Sequence, residues 1–301
     1  MSRAVVLTGF GPPSVLELRD VEVGAPGAGQ IRVAVTFAGV GPTDLAIRAG
    51  HVKAFPAAPG TALGFEAAGV IDAVGSEVHD VTPGEEVAVF LPRLGGYAEH
   101  VLAEHWVLKP ASVSWEDAAA VPASGEAAAR TLAELALREA ETLLVLGGLG
   151  SVGTIATQLA VASGARVISA VRTADFAAAE NLGAVPVAYG SELLNQVRAK
   201  AHSVDAVLDA AGKGGLEAAI TLAGGPERVI TLSDHRAAQL GVRLSGPDPR
   251  GIPAALAQTM AALATGALTL RPRITVPLAQ AADVHAQLED GRLRSKVLLA
   301  V

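Results

Sequence analysis

The chain contains no cysteine among its 301 residues. Disulfides, iron–sulfur clusters, thiolate zinc sites and cysteine nucleophiles are therefore excluded from its chemistry. Aromatic residues are scarce, at 3 % of the total. No run of Lys or Arg exists, and the formal net charge is −7, a balance that argues against a phosphate-binding surface for nucleic acid. The first residues, "MSRAVVLTGF", lack the charged, apolar and small-residue regions of a signal peptide. Gly, Thr or a charge interrupts every apolar stretch before it reaches membrane-spanning length. These absences lead us to expect a soluble, cytoplasmic protein that binds neither nucleic acid nor membrane.

What remains is half apolar and long enough for two domains. Two textures follow one another. "SRAVVL", "LELRDVEV", "QIRVAVTFAGV", "AAGVIDAVG" and "EEVAVFL" are β-branched runs divided by Gly and Pro, which predicts a β-rich region up to about residue 110. From about 115, helix formers enter, and strands at 143–147, 166–171, 185–188, 204–208, 228–232 and 242–245 alternate with helices. That alternation predicts a parallel sheet covered on both faces. The last stretch, "ITVPLAQAADVHAQLEDGRLRSKVLLAV", has strand-like ends and is expected to pack back on the first region. The expected division is 1–118, completed by 262–301, and 119–261.

Gly148, Gly150 and Gly153 form G-x-G-x-x-G directly after the strand at 143–147, opening a helix that runs to about Ser163. The first glycine is expected to permit the tight turn, the second to let backbone approach a pyrophosphate. The third lets the helix lie close on the strand, with the amides around Ser151 and Val152 favouring the anion. A second strand, "RVISAV", completes the unit that makes this pattern specific. It ends in Val171, Arg172 and Thr173, with no carboxylate before Asp175. An NAD site places an acid there for the ribose hydroxyls, whereas Arg172 suits a 2′-phosphate, so NADPH is expected over NADH.

The residues also resemble the medium-chain dehydrogenase/reductase superfamily, and most of all its zinc-independent quinone oxidoreductase branch. The resemblance rests on "AGVGPTDLAIRAG" (38–50), "PGTALGFEAAGVIDAVGSEV" (59–78), "GGYAEHV" (95–101), the glycine turn, "NLGA" (181–184) and "VDAVLDAAG" (204–212). It implies a GroES-like, β-rich domain on the substrate side beside a doubly wound Rossmann domain, with dimerisation through Rossmann edge strands. The family's zinc alcohol dehydrogenases carry Cys-His-Thr-Asp and Gly-His-Glu where this chain has Gly41-Pro42-Thr43-Asp44 and Gly64-Phe65-Glu66. Catalytic zinc needs three protein ligands, so no metal is expected.

Other departures bear on the substrate. The family's quinone reductases often place Asn at Gly41, Tyr near Ala46 or Val52, and Thr at Ala127; none of these side chains is present. The emptied pocket would suit a bulky, aromatic acceptor. The resemblance leaves Thr43 two roles, a hydrogen bond to a substrate oxygen or a helix cap, and leaves His51 two, a proton donor after hydride delivery or an exposed loop residue. Asp44 competes for the cap. Glu66 reads as a structural ion-pair partner and Tyr97 as core. Tyr189 resembles the family tyrosine near the adenosine, and Ala211, Gly212, Leu232 and Ser233 stand at carboxyl ends of strands, where Rossmann ligands bind. Lys296 reads either as a cofactor contact or as a strand-end lysine. Three functions stay open: a quinone reductase, an enoyl reductase acting on an enone or polyketide-like substrate, and an NADPH-binding protein without turnover.

Overall fold

A computed structural model describes residues 1–52 and 55–301. Along the chain the elements are β1 (Ser2–Leu7), β2 (Leu16–Val21), β3 (Ile31–Val40), α1 (Pro42–Arg48), β4 (Glu66–Val74) and β5 (Glu86–Phe90). Next come β6 (His100–Ala103), β7 (His105–Leu108), α2 (Trp115–Ala120), α3 (Pro122–Glu134), β8 (Thr142–Leu146), α4 (Ser151–Ala162) and β9 (Arg166–Val171). They continue as α5 (Phe176–Asn181), β10 (Val185–Ala188), α6 (Leu193–Lys200), β11 (Ala206–Asp209), α7 (Leu216–Ala223), β12 (Val229–Thr231) and β13 (Arg243–Leu244). The last are α8 (Ile252–Ala264), β14 (Arg273–Pro277), α9 (Ala281–Glu289) and β15 (Lys296–Ala300).

The chain divides into two compact units. One comprises Met1–Ala123, Leu256–Thr265 and Pro272–Val301; the other comprises Ser124–Ala255 and Gly266–Arg271.

The first unit is β-rich. Its larger sheet runs β14-β15-β3-β4-β5-β7, with β6 also on β3, and β1 pairs with β2 in a separate ribbon. β3 reads in on alternate residues: Ile31, Val33 and Val35 are buried while Arg32, Ala34 and Thr36 are only partly so, the pattern of a sheet with one face on the core. β15 lies antiparallel against β3, with Val297 opposite Val40 and Ala300 opposite Phe37. The final strand is therefore an interior member of this sheet.

The second unit is a six-stranded parallel sheet in the order β10-β9-β8-β11-β12-β13. The order reverses between β8 and β11, the switch point at which doubly wound sheets bind ligands beyond their carboxyl ends. β8 is buried along its whole length, as a central parallel strand with helices on both faces must be. Leu144, Leu146, Ile168, Val187 and Val207 form the centre of its core, packed with Leu193, Val197, Leu216 and Ala219 from the covering helices. Among the described residues, no helix is long and apolar enough to cross a membrane.

Candidate functional site

In the Rossmann unit the chain turns sharply from β8 into α4. The tight turn belongs to Gly147, which takes a left-handed φ of +86°, and Gly150 N–H closes it on the Gly147 carbonyl at 2.9 Å. This corrects the expectation for Gly148. That residue is not left-handed; it is glycine because a Cβ there would overlap the Ser169 hydroxyl and lie 2.9 Å from Ser169 Cβ. Gly153 behaves as expected, since its Cβ would stand 2.7 Å from Gly148 Cα, so only a glycine lets α4 approach β8 this closely.

Gly150 is the N-cap of α4 in extended conformation, and the first intrahelical bond runs from Thr154 N–H to its carbonyl at 2.9 Å. The amides of Ser151, Val152 and Gly153 precede that bond and have no partner within the helix. Among the described residues beyond its chain neighbours, a Cβ at Gly150 would meet within 4 Å only the Gly147 carbonyl oxygen. An open cradle of amides at the switch point fits the pyrophosphate of a dinucleotide.

The carboxyl ends of β11 and β12 are knitted together beside this turn. Asp209 is fully buried; its Oδ1 accepts the amides of Ala211 (3.1 Å) and Gly212 (2.9 Å), and its Oδ2 accepts Thr231 Oγ1 at 2.9 Å. Thr231 Oγ1 in turn accepts the amides of Ser233 (3.3 Å) and Asp234 (3.1 Å). Leu232 N–H reaches the Asp209 carbonyl at 3.0 Å. Gly212 faces the Ser233 side chain, and a Cβ on Gly147 would contact both Ala211 Cβ (3.0 Å) and the Tyr189 hydroxyl (3.3 Å). The structure thus gathers Gly147, Tyr189, Ala211, Gly212 and Ser233 around one point. Burial, followed by the charge of Asp209, pushes the Tyr189 hydroxyl up to about 12, so it is a neutral donor at working pH.

Arg172 lies at the end of β9, 58 % exposed, with its Nε 2.6 Å from Asp175 Oδ2. Thr173, next to it, is exposed. An exposed pair of this kind contributes little to stability and is easily exchanged for a better anion.

The β-rich unit carries the other predicted residues. The N-cap of α1 is Gly41, with Pro42 at the first helical position. This settles the cap: Thr43 does not provide it and is exposed, while Asp44 is buried and its Oδ2 accepts the Gly41 amide at 2.8 Å. His51 is exposed just beyond the end of α1, its amide on the Ala46 carbonyl at 2.9 Å. Thr43 and His51 therefore stand at opposite ends of one short helix. Glu66 is buried in an ion pair with Lys296 and accepts the Ala123 amide at 2.8 Å; Lys296 also donates to the Val40 carbonyl at 3.0 Å. The lysine is a structural partner. Among the described residues no three His, Asp or Glu side chains converge as a metal site would require.

Three buried residues, Asp209, His285 and Arg48, escaped the sequence reading. Asp209 had a signal, an Asp at a strand end followed by Gly three residues later, which is the composition of a side-chain-closed turn. His285 and Arg48 had none, because nothing in "DVHAQ" or "AIRAG" marks them for burial.

The geometry agrees with the comparisons. The alcohol dehydrogenase GroES-like domain family matches residues 27–113, and the zinc-binding dehydrogenase family matches residues 164–299. A quinone oxidoreductase of Pseudomonas aeruginosa is 37% identical over 174 residues, 57% of this chain and 53% of that protein. The 2-methylene-furan-3-one reductase of Solanum lycopersicum is 31% identical over 238 residues, 74% of this chain and 61% of that one. The chain spans about half the length of the curated quinone oxidoreductases it matches. The solved quinone oxidoreductase of Pseudomonas syringae pv. Tomato DC3000 superposes with a TM-score of 0.87 at 26% identity, covering 100% of both chains. Such relatives imply a nicotinamide cofactor. The chain thus carries an alcohol dehydrogenase GroES-like domain and a zinc-binding dehydrogenase domain, and quinone oxidoreductases of the medium-chain dehydrogenase/reductase superfamily stand among both its sequence relatives and its structural neighbours.

Proposed function

We propose that the protein is a zinc-independent, NADPH-dependent oxidoreductase that transfers hydride to a quinone or another electron-poor, carbonyl-conjugated acceptor. The observation that carries this reading is the open glycine cradle at the switch point of the parallel sheet, followed at the end of β9 by an arginine. When bound, the nicotinamide supplies the hydride from its C4. The chain supplies binding, orientation and electrostatics. The amides of Ser151, Val152 and Gly153 receive the pyrophosphate, and Gly150, without a side chain, leaves the approach to them open. Arg172 and Thr173 receive the 2′-phosphate, with Tyr189 beside the adenosine. A dianionic phosphate pairs with a guanidinium more strongly than a surface carboxylate does, so Arg172 exchanges Asp175 for it. Ala211, Gly212, Leu232 and Ser233 border the rest of the dinucleotide. On the acceptor side, the exposed Thr43 hydroxyl offers a hydrogen bond to a carbonyl oxygen and His51 a proton. A hydroquinone takes its protons from water as readily, so the site needs few acids.

The test is a fluorescence titration with NADPH and NADH, run on the wild type and on Arg172→Ala. We expect NADPH to bind about tenfold or more tightly than NADH, and the variant to lose that preference. If neither nucleotide binds, the reductase reading falls.

A second reading, reduction of an enone carbon–carbon double bond, is favoured by the relative from Solanum lycopersicum, whose name describes a methylene ketone substrate. Hydride would then add to the β-carbon, and Thr43 would stabilise the enolate oxygen. NADPH oxidation with a cyclic enone and none with benzoquinones would select this reading over the first.

A further inference from the structure

Asp44 does more than cap α1. Its Oδ2 holds the Gly41 amide at 2.8 Å and its Oδ1 holds the Gly64 amide at 3.0 Å, joining the start of the helix to a turn far along the chain. Gly64 is left-handed, with φ at +99°, and has no room for a side chain: a Cβ would lie 2.7 Å from the ring of Tyr97. Tyr97 is fully buried, and its hydroxyl stands 3.2 Å from His285 Nε2 on α9, the rings meeting edge to face. At the other end of α1, Arg48 is 1 % exposed and pairs with Glu289, also on α9. Both ends of α1 are thus tied by buried charged groups, while Thr43, next to Asp44 in the first turn, stays exposed.

We propose that the ionised Asp44 is the positioning residue of the acceptor side, fixing the height of Thr43 by gripping the Gly41 and Gly64 amides together, with Tyr97 and His285 as its backing. This deepens the functional reading and rests on it. A carboxylate accepts both amides at once. A carboxylic acid presents a hydroxyl donor in place of one acceptor and must release one amide.

Burial pushes the Asp44 carboxyl up to about 6, against the two amides and Lys296, with Glu66 adding to the rise. The groups that face it are Glu66 on β4, Lys296 on β15 and Tyr97 ahead of β6, with His285 of α9 behind the tyrosine and Arg48 of α1 acting on His285. Glu66 and Lys296 are paired with each other. Burial holds Tyr97 well above its ordinary value and His285 down to about 3, so both are neutral between pH 5 and 8. Of Asp44, Tyr97 and His285, Asp44 is then the one that changes charge in that window.

The experiment uses the full-length protein with NADPH and a benzoquinone. Between pH 7.5 and 5 the wild type should show about a tenfold rise in acceptor KM, the loss of one hydrogen bond to a charged group, with NADPH affinity unchanged. Asp44→Asn should carry the raised KM at pH 7.5 and lose the pH dependence. Tyr97→Phe, which keeps the ring and removes the hydroxyl, should move the midpoint of the profile. Amide protection factors for Gly41 and Gly64 in the wild-type protein, compared at the two pH values, read the grip without turnover and should fall about tenfold. Unchanged protection factors, or an Asn variant with wild-type KM and pH profile, would overturn the proposal. If no acceptor is reduced but protection still falls, the grip stands and the reductase reading fails alone.

Discussion

Gly153→Ala should abolish dinucleotide binding and lower the stability of the Rossmann unit by about 1–3 kcal/mol or more, the cost of forcing atoms into a packed interior. The added methyl would press on Gly148 Cα and on the Gly147 carbonyl. Both are backbone atoms, so no rotamer change can relieve the clash; α4 must lift away from β8 and carry the amides of residues 151–153 with it. Gly148→Ala should fail for a different reason. There the obstacle is the Ser169 side chain, whose buried hydroxyl has no hydrogen-bond partner among the described residues, so removing it breaks no hydrogen bond there. Ser169→Gly should therefore restore NADPH binding to the Gly148→Ala protein and do nothing for Gly153→Ala. Nucleotide fluorescence titration with thermal unfolding of the four variants measures this. A Gly153→Ala protein that binds NADPH within about twofold of wild type would refute the close-approach argument, and so would a Gly148→Ala defect that Ser169→Gly leaves untouched.

The second large effect concerns acid. His285 has no exposed surface, and burial, aided by the charge of Arg48, pushes its pKa down to about 3 from an ordinary 6.5. Between those values the unfolded chain binds a proton that the folded chain refuses. Stability supplied by neutral His285 is thus fully present above pH 6.5 and is lost as pH falls, at about 1.4 kcal/mol per pH unit. The whole interval amounts to something on the order of 5 kcal/mol. Asp44 runs the other way, since its raised pKa makes the folded state the better proton binder between the unfolded value near 4 and about 6, which favours the fold as pH falls through that range. The two offset each other in the wild type, so the contribution of His285 is visible only by difference. Relative to wild type, His285→Gln should gain about 2 kcal/mol between pH 7 and pH 5, whatever its deficit at neutral pH. Both tryptophans, Trp106 and Trp115, lie in the β-rich unit, so their emission during urea unfolding follows the unit that contains His285. Parallel stability curves for the two proteins would show that the histidine is not held neutral.

How much of this was legible in the sequence depends on where each signal lies. β1, β9 and β10 have the bounds that their β-branched runs suggest, and the parallel sheet follows from strand–helix alternation, because both are local patterns. β6 and β7 were missed: in "EHVLAEHWVL" charged and aromatic residues interrupt the apolar alternation, and only pairing with β3 and β5 makes strands of it. The glycine motif was recognised as a unit, yet the roles inside it were misassigned by one residue, since nothing in "LGGLGSVG" says which of two adjacent glycines bends and which is crowded. The ion pair of Glu66 joins residues 230 positions apart. The acid was recognised as structural, but its partner, left between two roles, needed the fold. A comparable separation hides His285, whose hydrogen-bond partner Tyr97 lies nearly two hundred residues earlier.

The position of β15 has a consequence for synthesis. Its residues 297–300 take the flank of β3 formed by residues 37–40, and Lys296 neutralises Glu66 on β4. A chain leaving the ribosome presents β3 and β4 early and must wait for residues 296–300 to close that flank and quench that buried acid. Meanwhile nearly all of the Rossmann unit, residues 124–255, has already emerged and contains its own apolar interior. The later-numbered unit is thus the first that can finish, and the first-made sheet spends the interval with an open, hydrogen-bond-hungry edge. A nascent chain stalled near residue 290 should hold a largely folded Rossmann unit beside a β-rich unit with one edge still open, the form most in need of a chaperone.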